Sequence, residues 1–496
     1  MSEAFVLCAL AALTVLLRIP FWSRPLDMDE GLYAYGGWQM LYGLVPYRDL
    51  YDFKPPGAYF WNALVFGLFS PDAIWIYIGA ALAAAATSIG VYAVARHVWD
   101  RNTALICATL FAIFSSSPHI QGGGLNTEVF MIPPCVWGLY FVLRGADGGT
   151  RRHIFLSGVL FGVATLFKQV AGIGLIAGLI ALIMGHGIRD VRRAVSEAAL
   201  IVTGFVLPWF LSATYFLYQG AFREYVFWVF QYPFLYMGFT RAAVQRVDIL
   251  GRFLWVFRGS LLLWLFSCVA VCFVVRTRTW KEWLIVVFLF LSFLGVASGS
   301  NFFPHYFIQP MPALALLAGY GIVSLYRRAR RERSIAAAIC LVVLLLSGGL
   351  LHVFTHARVY TTLSGDQLSE YESGWAHFGS VFGVAKRVGL HLRDVTTPGD
   401  EVFVWKHHPE INFYALRRTP SRAPIISLPH LRQDDILLQD IERRRPEYIV
   451  ILDALPMRNE RLGRIIIDEY VKVYGINSLP SPHQGIYAWK EEGMKR

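Results

Sequence analysis

Stretches of roughly 20 mostly apolar residues, the length that crosses a hydrocarbon core about 30 Å thick, recur along the first three-quarters of the chain, separated by short polar loops. The pattern predicts about eleven membrane spans, at residues 4–22, 73–95, 103–117, 129–143, 154–167, 170–184, 198–218, 260–275, 283–297, 307–326 and 335–353. The 154–167 run is short, which suits a tilted or half-spanning helix. No small-residue cleavage site follows the first run, so it is expected to be retained. From residue 357 onward the pattern changes. Strand-forming runs at 401–405, 423–428, 448–453, 470–476 and 485–489 alternate with helical patterns at 381–393, 409–416, 437–445 and 461–468, the order of a small α/β layer domain. The expected fold is a polytopic α-helical membrane region over residues 1–356, followed by an α/β domain over residues 357–496.

Composition supports this division. The chain is 56% hydrophobic and 16% charged, with a mean hydropathy of +0.47, so water is not its main solvent. The net charge of +11 is gathered in short clusters between apolar runs rather than along one face, which points to membrane topology and not to nucleic acid. Alternating sides through the spans puts Arg96/Arg101, Arg151/Arg152, Arg189/Arg192/Arg193, Arg276/Arg278/Lys281 and Arg327–Arg333 on one face, which the positive-inside rule makes cytoplasmic. The amino terminus is then expected inside a plasma-type inner membrane. The loops 23–57, 119–128, 221–259 and 299–306 and the α/β domain are expected outside. All six cysteines fall in or beside apolar runs without a CxxC pair, as small core residues do, and argue against a disulfide framework or thiolate metal site.

The outer loops carry the polar chemistry. Asp27, Asp29 and Glu30 follow the first span directly, where three carboxylates repel one another and resist desolvation. A solvated acidic loop is one reading. A general base at the lipid–water boundary is the other, because partial desolvation raises a carboxylate's basicity toward what proton abstraction from a hydroxyl requires. Lys54-Pro55-Pro56 fixes a cation at headgroup depth, suited either to snorkelling or to a phosphate. The aromatic residues between them, Tyr33, Tyr35, Trp38, Tyr42, Tyr47, Tyr51, Tyr59 and Trp61, read mostly as an interfacial belt.

The second outer loop ends in Asn126-Thr127-Glu128, with Glu128 placed either as a helix-dipole neighbour or as a second active-site acid. Lys168-Gln169 and Asn301–Tyr306 interrupt apolar sequence on the same side, making Lys168, Gln169, His305 and Tyr306 candidates as interfacial ionisable or polar groups. Arg223, Arg241, Arg246, Arg252 and Arg258 run against the positive-inside trend among aromatic residues, as suits headgroup attraction or a grip on a lipid phosphate. His407-His408-Pro409-Glu410 looks like metal-ligand spacing only superficially, since adjacent histidines do not share a helix face, and no metal is assigned. No P-loop or dinucleotide fingerprint stands in the right context.

Taken in order, Asp29-Glu30, Lys54-Pro55-Pro56, Asn126-Thr127-Glu128 and Pro304-His305-Tyr306 running into Gln309-Pro310 resemble the GT-C superfamily of membrane glycosyltransferases over residues 27–319. The likeness is to bacterial relatives of protein O-mannosyltransferases and of lipid A aminoarabinose transferases. The resemblance implies a GT-C-like fold and inverting transfer from a polyprenyl-monophosphate sugar to a glycan, lipid or protein hydroxyl outside the membrane. It makes Asp29 the general base, Lys54 a phosphate ligand, Glu128 an orienting acid and His305 a neighbour of the donor phosphate; the residue reading adds Glu30 to the catalytic acids and Arg258 to the donor-phosphate ligands. Asp27, Asp52, Tyr33, Asn126, Lys168, Gln169 and Tyr306 would line the substrate. The carboxylates of Asp29 and Glu128 and the amine of Lys54 are expected to converge on one outward-facing cleft, with His305 on its rim. One departure stands out: aminoarabinose transferases carry an acid directly before the lysine, whereas Phe53 stands here and Asp52 is the nearest acid. Rival readings are a GT-C ligase or polymerase using a lipid-diphosphate glycan, and a transporter with Asp29, Glu128 and Lys168 on its path.

Overall fold

A computed structural model describes residues 2–186, 191–236, 248–298, 301–336, 339, 354, 356–373, 379–405, 408–423, 433–452, 460–475 and 484–490. Among these, seven helices are long and apolar enough to cross a membrane: Glu3–Ser23, Ala73–Val98, Thr127–Ala146, Gln169–His186, Arg192–Tyr218, Ile249–Thr277 and Trp280–Ser298. The chain is a multi-pass membrane protein. Three further expected spans coincide with the helices Arg101–Phe114, Arg151–Phe167 and Met311–Arg331. The first two are short, and the third ends in a run of arginines. The expected 335–353 span lies largely outside the described residues.

The contacts divide the chain into two units. One comprises Met1–Ser23, Ile76–Tyr215 and Phe234–Ser364; the other comprises Arg24–Trp75, Phe216–Pro233 and Gly365–Arg496.

In the first unit, helices Thr127–Ala146 and Arg151–Phe167 form an antiparallel hairpin across the Asp147–Thr150 turn, with Gly148 in the left-handed region (φ 91°). The hairpin brings the start of one helix, with Glu128, to the end of the other, with Lys168. The Ser115–Leu125 loop packs tightly: a Cβ on Gly123 would lie 2.1 Å from the Phe21 ring. Only glycine permits that approach.

In the second unit, the expected outer loop 23–57 contains the helix Met28–Met40, and a second helix, Gly57–Leu68, follows it where no element was expected. Asp27 caps the first: its Oδ1 accepts from the Glu30 backbone N–H at 2.9 Å, and Glu30 Oε2 accepts from the Asp27 N–H at 3.0 Å. Every residue from Glu30 to Gln39 is buried, because the helix packs against Gly57–Leu68 on one side and Pro409–Ala415 on another. Gly31 and Gly37 allow this, since a Cβ at either would lie 2.4 Å from the Cβ of Glu410 or Asn62 respectively. The aromatic-belt expectation is corrected here. Tyr33, Tyr35, Trp38, Tyr47 and Tyr59 are core residues, and Tyr42 remains exposed.

The C-terminal region of this unit forms a four-stranded sheet from β1 (Val402–Val404), β2 (Tyr448–Ile451), β3 (Tyr470–Gly475) and β4 (Gly485–Trp489), in the order β1-β2-β4-β3. β1 and β2 are parallel and the remaining pairs antiparallel. Helix Gly379–Val395 contributes Ala385, Val388 and Leu392 to a core shared with Val402, Val450 and Ile486. The helical patterns expected from sequence appear as Gly379–Val395, Pro409–Ala415, Gln433–Arg444 and Glu460–Glu469. The expected 423–428 strand lies almost wholly outside the described residues.

Candidate functional site

Two groups of the predicted residues assemble, one in each unit. In the unit holding the Met28–Met40 helix, Asp29 and Tyr33 stand one turn apart on the same helix face. Lys54, held by the Pro55-Pro56 turn, places its Nζ 3.5 Å from Asp29 Oδ2 and 3.3 Å from the Tyr33 hydroxyl. The Asp29 side chain is 41% exposed and that of Lys54 21%, so the pair meets solvent at the edge of a buried aromatic floor. Tyr33 packs edge-on against Tyr59 at 5.5 Å, and burial raises its hydroxyl well above the ordinary tyrosine range.

The loop carrying Lys54 is pinned from both sides. The Tyr47 hydroxyl donates to the Lys54 carbonyl at 2.7 Å, with Tyr47 itself in the left-handed region (φ 72°). The Tyr59 hydroxyl donates to Asp52 Oδ2 at 2.8 Å, and the Phe53 N–H donates to Oδ1. Burial pushes the Asp52 carboxyl up to about 6, against the pull of Lys54 and of Tyr59's hydrogen bond. Asp52 thus stands behind the lysine and locks its loop. Asp27 is likewise raised, first by burial and then by Glu30, with Arg24 opposing.

Glu30 points away from Asp29 into the interior. Its carboxylate receives Arg24 Nη2, with Oε2 at 2.6 Å, while Arg24 Nε lies 3.2 Å from Glu372 Oε2. All three side chains are no more than 4% exposed. Sequence reasoning did not single out Arg24 or Glu372. Arg24 was detectable as a lone cation just past the first span, whereas Glu372 arrives from a distant segment with no local sign.

One guanidinium between two buried carboxylates leaves one negative charge uncompensated when both are ionised, and burial pushes Glu372 up to about 7. Because its folded value lies above its ordinary one, Glu372 contributes stability that is full below about pH 4.5 and is lost as pH rises through about 7. Glu372→Gln removes this loss. Its melting temperature should match wild type near pH 5 and exceed it by a few degrees at pH 8 in detergent thermal unfolding. A variant less stable than wild type at pH 8 would show that the Arg24–Glu372 pair is net stabilising.

In the other unit, Glu128 sits in the first turn of its helix, 1% exposed, and Lys168 reaches it in a direct ion pair. Thr127 Oγ1 donates to Glu128 Oε2 at 3.2 Å. Lys168 Nζ also lies 3.9 Å above the Tyr306 ring, a cation–π contact. His305 stacks on Phe303, meets Tyr306 edge-on at 4.9 Å, and shares a 2.9 Å hydrogen bond between Nδ1 and Gln121 Oε1. Gln121 holds φ at 52°, a strained left-handed position that aims its amide at the histidine. Asn126 occupies the N-cap position without a side-chain cap bond, and Gln169 opens the short turn Gln169–Gly172. Arg252, rather than the exposed Arg258, stands against this segment: its guanidinium lies 4.9 Å from the Phe303 ring and donates to the Asn301 carbonyl. In the C-terminal region His408 bonds Glu410 at 2.8 Å, and His407 lies outside the described residues.

The first group therefore offers a partly exposed carboxylate touching a fixed cation. The second offers a buried ion pair roofed by Tyr306 beside a hydrogen-bonded histidine.

The family model described as dolichyl-phosphate-mannose-protein mannosyltransferase matches residues 53–216, which include Lys54, Glu128 and Lys168. No curated protein sequence matches the chain. Among solved structures, the chain is similar to ArnT from Cupriavidus metallidurans bound to undecaprenyl phosphate, at a TM-score of 0.62 and 16% identity, covering 98% of each chain. It is also similar to the Archaeoglobus fulgidus oligosaccharyltransferase tethered to an acceptor peptide, at a TM-score of 0.53 and 13% identity over 99% of this chain and 74% of that one. The same organism's AglB in complex with an inhibitory peptide and a dolichol-phosphate matches at 0.52 and 13%, over 93% and 70%. The fold is that of GT-C membrane glycosyltransferases, and both the family match and the structural neighbours are glycosyltransferases, as the sequence resemblance implies.

Proposed function

We propose that this GT-C chain transfers a sugar, with inversion, from a polyprenyl-monophosphate carrier to a hydroxyl on the extracytoplasmic side of the membrane. The observation that carries the reading is the contact of Asp29 with Lys54 at 3.5 Å, a carboxylate and a cation held together at partial exposure. In the reaction, the acceptor oxygen attacks the anomeric carbon, Asp29 takes its proton, and the bond from that carbon to the phosphate oxygen breaks. Polyprenyl monophosphate leaves with its charge neutralised by Lys54. Donor phosphate competes with Asp29 for the lysine, so donor binding loosens the carboxylate from its partner and frees it to act as base. Ground-state pairing keeps Lys54 aimed in the meantime.

Asp27, Glu30 and Arg24 act by fixing the helix start that presents Asp29, and Asp52 acts by holding the lysine loop. Glu128 and Lys168, with Tyr306 and His305, serve as the second recognition group for donor or acceptor. The similar ArnT structure contains undecaprenyl phosphate and the AglB structure dolichol-phosphate, and both support a polyprenyl-phosphate carrier here. The clustering of basic loops at one end of the spans supports a cytoplasmic amino terminus and an outward-facing C-terminal region in the inner membrane. Phe53 in place of an acid before Lys54 supports a sugar other than aminoarabinose.

Lipid extraction from the purified protein, followed by mass spectrometry, tests the donor class. A co-purifying polyprenyl monophosphate or its sugar ester is expected. Exclusive recovery of a lipid-diphosphate glycan would favour the ligase reading.

The buried pair gives a separate expectation. Glu128→Ala leaves Lys168 as a largely enclosed cation without its carboxylate and should destabilise the protein by up to roughly 3–5 kcal/mol, whereas Glu128→Ala combined with Lys168→Met should recover part of that loss. Thermal unfolding of the single and double variants measures the coupling, and additive losses would refute it.

A further inference from the structure

A cavity of about 580 Å³ opens in the first unit, away from the Glu128–Lys168 pair of that unit. Arg144, on its wall, stands sixteen residues along the same helix from Glu128, about 24 Å at 1.5 Å per residue. Three walls come from the ends of candidate membrane spans: Glu3 and Leu7 from the first, Tyr92 and Arg96 from the second, and Arg144 from the third. The cavity therefore sits at headgroup depth, at the end of the spans where the basic clusters gather.

Its charges are unevenly matched. Glu3 Oε1 accepts from the Tyr92 hydroxyl at 3.0 Å, and Asp147 is held by Lys281 at 2.6 Å, with His97 Nε2 3.5 Å away. Both acids are thus engaged. Among the described residues neither Arg96 nor Arg144 has a carboxylate within ion-pair distance, and Arg144 is steadied by a 3.1 Å bond from Nη1 to the Tyr140 hydroxyl. Two exposed guanidiniums, one already oriented, face a cavity that the engaged Glu3, His97 and Asp147 share with apolar and aromatic residues, among them Leu7, Ile89 and Trp137.

We propose that this cavity binds the phosphate headgroup of an anionic membrane phospholipid, with Arg96 and Arg144 as the phosphate ligands and Leu7 and Ile89 beside the upper acyl chain. A lipid suits the site better than free phosphate because the membrane spans form its walls and apolar residues continue from the arginines.

The test uses the full chain in neutral detergent with fluorescent phosphatidylglycerol and phosphatidylcholine analogues. Wild type should bind phosphatidylglycerol at least about tenfold more tightly than phosphatidylcholine. Arg96→Gln with Arg144→Gln should abolish that preference, Arg96→Lys with Arg144→Lys should keep most of it, and Arg151→Gln with Arg152→Gln, a basic pair outside the cavity, should leave it intact. Equal binding of the two lipids by wild type, or an undiminished preference in the glutamine pair, would overturn the proposal. So would complete displacement of phosphatidylglycerol by low-millimolar inorganic phosphate, which would assign the site to the free ion. If the glutamine pair fails to fold, Arg144→Gln alone carries the test, with a weakened preference expected and an unchanged one fatal.

Discussion

Asp29→Asn is expected to lower turnover by about 10²-fold or more while leaving donor-lipid affinity close to wild type. The substitution keeps the size and hydrogen-bonding shape of the side chain and removes the proton acceptor. The charge pairs with Lys54 and does not anchor the helix. The helix start is fixed by Asp27, Glu30 and Arg24, so the fold around residue 29 should survive, and Asp29 itself is exposed enough to be replaced without leaving a cavity. Donor binding should hold or tighten slightly, because Lys54 loses the carboxylate with which a phosphate competes. Single-turnover transfer measured beside donor affinity separates these outcomes. An Asp29→Asn protein with unchanged transfer would remove the general-base role and make Glu128 the next acid to test.

Lys54→Ala acts on the other partner and should fail differently. It deletes a charge-assisted contact worth roughly 1.5–3 kcal/mol, so donor-lipid affinity should fall by about 10- to 100-fold and transfer should fall with it at limiting donor. It also leaves Asp29 without its cation. Lys54→Arg is the informative companion: it retains charge but replaces a point cation with a planar fork, and it should recover affinity more fully than turnover. Donor binding unchanged in Lys54→Ala would contradict the phosphate assignment.

The residues that matter most for this account were visible in the sequence because each breaks a local rule. Asp29 puts a carboxylate against hydrocarbon, Lys54 fixes a cation with two prolines, and Glu128 and Lys168 interrupt apolar runs on the same expected side. Hairpin geometry then brings the last two together as an ion pair. The small sheet was legible too, since β-rich runs at 448–453 and 485–489 become adjacent antiparallel strands.

What escaped the sequence was set by long-range packing. Glu30 reads as a twin of Asp29, yet helical geometry turns it inward, where Arg24 and Glu372 take it up. The tyrosines between Asp29 and Lys54 have the composition of an interfacial belt. They are buried because a helix from residues 409–415 lies against Gly31, a contact no local pattern announces. Gln121 gave no signal apart from its glycine-rich surroundings, and Arg252 differed from Arg258 only in which helix face it occupies.

The central claim is that sugar passes from a lipid monophosphate under the action of Asp29 and Lys54. The most direct measurement is a single-turnover reaction of liposome-reconstituted protein with radiolabelled polyprenyl-monophosphate sugars and host-membrane acceptors, following both the transferred sugar and the released lipid. The account predicts one polyprenyl monophosphate released per sugar transferred, a product of opposite anomeric configuration to the donor, and loss of both signals in Asp29→Asn. Transfer that requires a lipid-diphosphate donor, or product formation undiminished in Asp29→Asn, would contradict it.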